Sequence, residues 1–133
     1  MIQQALYGFL STDPGVTALV NDRIYPLVIP DQVFDASSKR PCLVYAQDGL
    51  TTSQTFCETI ALRSAGFMID CYARRYEDAI GLAEAVKSAL VDFRGPMGSS
   101  QISNVDLISQ YDLMDLEPGL FRVALRFSIW HAG

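Results

Sequence analysis

Three cysteines, one histidine and a run of carboxylates are the residues whose types could do chemistry here. Cys42, Cys57 and Cys71 with His131 are the soft ligands that zinc prefers. Structural zinc sites draw their ligands in close pairs, and no C-x-x-C pair occurs. Cys42 and Cys71 therefore read as small, reduced, inward-facing apolar residues of a core. A nucleophile–base site needs a base that titrates near neutrality. His131 is the one histidine, and its place near the end of the sequence predicts a frayed, solvated side chain. The Ser128–His131 pair is spacing only, since no G-x-S-x-G elbow accompanies it. Asp106, Asp112, Asp115 and Glu117 are close in sequence, but Asp112 and Asp115 have opposite parity on a strand and would not share a face unless a bulge intervenes. Gly95-Pro96-Met97-Gly98 is glycine-rich, yet it follows a helix and precedes a strand. That reverses the order in which a helix N-terminus cradles phosphate, so the segment reads as a helix stop. No catalytic residue, metal ligand or cofactor site emerges.

One pattern is left. The outward face of the last strand carries Arg122 and Arg126 flanked by Leu120 and Trp130, and the strand before the long helix carries Met68, Asp70 and Tyr72 outward. Arginine with aromatics and methionine is a composition of protein interfaces, and a solvated sheet face with an ordinary scatter of apolar residues is the equal alternative.

The elements that position these residues follow from hydrophobic spacing. Ile2, Leu6 and Phe9 predict a short amphipathic helix over 2–10. Asp13 suits a cap and Pro14 a first helical position, with Val16, Leu19 and Val20 as the stripe of a second helix ending near Asn21. Arg23-Ile24-Tyr25-Pro26 reads as an edge segment because its proline cannot donate to a ladder. Residues 27–41 lie between prolines and read as a loop. Strands are predicted at 42–47 and 63–73, joined by a polar hairpin over 48–62 that includes Thr52, Gln54 and Phe56. Its exposed edge invites pairing with another chain. Tyr76, Ile80, Ala83, Val86, Leu90 and Phe93 form one stripe of a long helix over 76–93. Val105, Leu107, Tyr111 and Leu113 alternate along a further strand, and Glu117-Pro118-Gly119 is a turn. Phe121, Val123, Leu125, Phe127 and Ile129 alternate with Arg122, Arg126 and Ser128 along the last strand.

These elements predict a single α+β domain over 1–133. A mainly antiparallel sheet of four to five strands packs against one long and two short helices. The chain has 133 residues, half of them hydrophobic, enough for a core without staples. Its formal net charge of −5 works against binding along nucleic-acid backbones or anionic membranes. The first ten residues lack the features of a signal peptide, and no apolar run approaches membrane-spanning length.

Taken together, the chain resembles the tail-completion, or tail-terminator, proteins of long-tailed bacteriophages and prophages. The resemblance lies in Asp22-Arg23-Ile24-Tyr25-Pro26 after short amphipathic helices and in the strand Pro41-Cys42-Leu43-Val44-Tyr45. It continues in Ile69-Asp70-Cys71-Tyr72-Ala73 leading into a helix with Ala79, Ala83 and Leu90, and in the alternating strand from Phe121 to Trp130. It carries no catalytic motif. It implies a structural virion protein at the head–tail junction, present in the bacterial cytoplasm during assembly. The implied assembly is a ring, commonly of six copies, that caps the tail tube and joins it to the head connector. A head-closure or connector protein of the same machine is one alternative, and a small cytosolic ligand-binding domain or enzyme is the other. The partners so implied are further copies of the chain, the tail tube protein and the head connector. On this reading Thr52, Gln54, Phe56, Asp112, Asp115, Glu117, Arg122 and Arg126 are the candidate interface residues.

Overall fold

A computed structural model describes residues 2–21, 23–27, 41–54, 61–98, 100–115 and 120–132; for 48–54, 61–63, 114–115, 120 and 132 it describes the backbone alone. Within them lie three helices and one six-stranded sheet, an α+β domain. Helix α1 spans Ile2–Thr12, α2 Pro14–Val20 and α3 Tyr76–Leu90. The strands are β1 Ile24–Pro26, β2 Cys42–Gln54, β3 Ala61–Ala73, β4 Gly95–Met97, β5 Ser100–Asp115 and β6 Leu120–Ala132. Their order in the sheet is β1-β2-β3-β6-β5-β4. Only β1 pairs in parallel, with β2; every other neighbour is antiparallel.

Local chemistry explains the helix starts. Asp13 caps α2, its Oδ2 accepting the N–H of Val16 at 3.1 Å, and Pro14 opens the helix. Helix α3 has no side-chain cap, but Glu77 and Asp78 in its first turn and Lys87 in its last complement the helix dipole. The helices bury Ile2, Ala5, Leu6 and Leu10 from α1, Val16 and Val20 from α2, and Ala79, Leu82, Ala83, Val86 and Leu90 from α3.

The inner face of the sheet meets these stripes. Ala65, Phe67, Ile69 and Cys71 on β3 and Val123, Leu125, Phe127 and Ile129 on β6 are all fully buried, in the same cluster as Leu90. Register places Phe67 beside Phe127 and Ile69 beside Leu125. Burying each such large side chain contributes about 1.5–3 kcal/mol, so this seam holds the helices to the sheet.

Several expectations need correction. Helix α3 stops at Leu90, not Phe93; Phe93 instead packs edge-to-face on Phe9 with ring centroids 4.8 Å apart. The buried stripe runs through Leu82 and Ala79, while Tyr76 sits exposed at its margin. The glycine-rich stop is a strand: β4 pairs with Ser100–Ile102. Gly98 closes that turn at φ +59°, and a Cβ there would lie 3.2 Å from the Cα of Ala5. Strand β5 is longer than 105–113, and its alternation breaks. Register shifts between Ile102 and Asn104 and between Leu107 and Ser109, so Tyr111 and Leu113 oppose Ala124 and Arg122 on the outer face. The hairpin ladder runs beyond 42–47 and 63–73, out to Gln54 opposite Ala61. Most of the loop over 27–41, and the turn at 117–119, lie outside the described residues.

Candidate assembly interface

Among the described residues, the chemistry-bearing side chains do not converge. Cys71 is buried on the inner face between Leu43 and Val123. Cys42 is also buried, but it lies on the outer face in a second small cluster with Val44 and Tyr72, against which Tyr25 packs. The expectation that both cysteines face inward fails for Cys42 because strand residues one apart point to opposite faces. Both thiols are free. Burial pushes the Cys42 thiol up to about 12, against the opposing pull of Arg23. Burial raises Cys71 as well, with Asp70 and Cys42 adding to the effect. Thiols held neutral in this way are poor nucleophiles and poor metal ligands. Cys57 lies outside the described residues.

His131 is not frayed. It is 3% exposed on β6, with Arg63 and Ile102 as its strand neighbours. Its parity with Phe127 and Ile129 carries it inward, and strand pairing to its last residues holds this end of the sequence in the sheet. Among the described residues no group of three or more His, Cys, Asp or Glu lies close enough to hold a metal ion. A groove of about 240 Å³ runs between α1 and β4, lined by Gln4, Gly8, Phe9, Thr12 and Pro96, without a titratable group. No described helix is long and apolar enough to cross a membrane.

The Arg-Ile-Tyr-Pro segment acts as a clamp. Arg23 donates its Nε to the Pro41 carbonyl at 2.8 Å and an Nη to the Leu19 carbonyl at 3.4 Å, tying the end of α2 to the start of β2. Ile24 enters the main core, and Tyr25 covers the outer cluster around Cys42. The following Pro26 sits at the sheet edge, where a missing donor costs nothing.

The candidate interface residues separate onto different parts of the sheet. Arg122 and Arg126 are on the outer face. Arg122 lies 3.8 Å from the Asp70 carboxylate, donates to the Tyr72 hydroxyl at 3.4 Å, and stands over the Tyr72 ring at 5.9 Å. Arg126 is exposed opposite Met68. Asp112 opposes Val123 on the helix side, where its Oδ2 accepts the Tyr76 hydroxyl. Asp115 pairs in register with Leu120, so the two aspartates occupy positions of opposite parity. Thr52 and Gln54 are ladder positions opposite Arg63 and Ala61. Phe56 and Glu117 lie outside the described residues.

What the sequence reading missed is the exposure on β5. Ile108, Tyr111 and Leu113 are among the large apolar residues left in solvent, at 57%, 58% and 44% exposure. The pattern Val105, Leu107, Tyr111, Leu113 hides this, because a bulge leaves no mark in hydrophobic spacing.

A sheet covered by helices on one face, with arginines and apolar side chains displayed on the other and along one edge, defines an α+β module. The chain belongs to the family described as Tail completion protein gp17, whose match runs over residues 4–132. It is thereby a structural protein of phage tails. The fold is also that of a chain in the virion of a native gene transfer agent particle, with a TM-score of 0.72, 20% identity, and coverage of 99% of this chain and 95% of that one. No curated protein sequence matches the chain.

Proposed function

We propose that this protein is the subunit of a ring, of six copies, that ends the tail tube and joins it to the head connector in the virion. The family match over residues 4–132 carries the reading. The exposed apolar and basic residues of the outer face and β5 support it, since a ring needs one patch of each copy to meet a different patch of the next. Arg126, with Arg122 beside it, supplies the positive patch; Asp112, on the helix side of β5, and Asp115, at a position of opposite parity, supply negative charge at two separate places, with Glu117 next to them in sequence. Such charges fix orientation and speed encounter more than they add affinity. Thr52, Gln54 and Phe56 of the β2–β3 hairpin add a second contact, to a neighbouring copy or to the tail tube. In this role the protein does no chemistry; it acts by geometry, and it passes through the host cytoplasm as a free subunit before assembly.

The test is to image tails from a phage carrying a tagged copy. A terminator co-purifies with headless tails and decorates the head-proximal end as a ring. Finding it only on heads would make it the head-closure protein instead, and finding it on neither would end the proposal.

A further inference from the structure

We draw no further inference here: the strongest candidate, the edge of β5 from Asp106 to Asp115 that no described strand pairs and along which Ile108, Tyr111 and Leu113 are exposed, carries nothing further because nothing in the structure shows what covers it.

Discussion

Tyr76, the first residue of α3, donates its hydroxyl to Oδ2 of Asp112 on β5 at 2.6 Å. Its ring also packs edge-to-face on Phe121, with centroids 5.8 Å apart. The pair pins the uncapped start of the long helix to the far strand of the sheet. The acceptor is a carboxylate, and the hydrogen bond to it raises the pKa of Tyr76 above the usual phenol value. Replacing Asp112 with Asn removes the charge that favours the protonated phenol, so Tyr76 should ionise at lower pH. An alkaline titration of the ring carbon by NMR reads this directly, and superimposable curves for parent and variant would refute it.

The two buried thiols make stability fall in alkali. Unfolded thiols ionise near 9.0, whereas burial holds Cys42 protonated up to about 12 and Cys71 protonated higher still. A raised folded-state pKa contributes stability that is complete below the unfolded value and lost as pH climbs toward the folded one. Melting temperature should thus fall from pH 9.0 toward about 12, less steeply in the Cys42→Ala, Cys71→Ala protein. In a Cys57→Ser background, neither thiol should react with a disulfide reagent at about pH 8 until the chain unfolds. Rapid reaction of the native protein would contradict this.

Phe127 sits fully buried beside Phe67 at the centre of the inner face. Its truncation to Ala should cost about 3–5 kcal/mol, since the packed neighbours cannot collapse into so large a void. Urea unfolding gives the number, and a loss below about 1 kcal/mol would mean that the seam is misplaced.

Gly98 joins β4 to β5 with a left-handed backbone against α1. Gly98→Ala should destabilise by at least about 1–2 kcal/mol from backbone conformation alone. The contact with the Ala5 backbone adds to that. An unchanged melting curve would show that α1 can back away freely.

The two outer-face arginines should behave differently. Arg122→Glu puts a second carboxylate beside Asp70 in a partly buried site, and about 1–3 kcal/mol of subunit stability should be lost. Arg126→Glu, exposed opposite Met68, should leave the subunit's melting temperature nearly unchanged while it impairs ring assembly, the more so at low salt. Equal assembly by parent and Arg126→Glu in light scattering would remove Arg126 from the interface.

Most of the inner architecture was legible in residue order. The alternation from Phe121 to Ile129 announced β6, and Asp13-Pro14 announced the start of α2. The Ala65–Cys71 parity predicted which side of β3 is buried. These features are local, because period-2 and period-3.6 patterns and caps depend on neighbours within a few residues. The proline in Tyr25-Pro26 likewise foretold an edge.

Only the tertiary structure decided the rest. Cys42 reads as apolar core in any window, yet it faces the outer cluster, because its strand is buried on both faces at that end. His131 looked loose from its position, but pairing with β3 and β5 buries it. Gly95–Met97 becomes a strand because β5 offers it a partner across the turn. The bulge after Leu107 sends Tyr111 and Leu113 outward, and with them creates the apolar edge of β5. Spacing sets which residues of one strand share a face; the register between strands, a sum over distant pairings, sets which face that is and whether anything covers it.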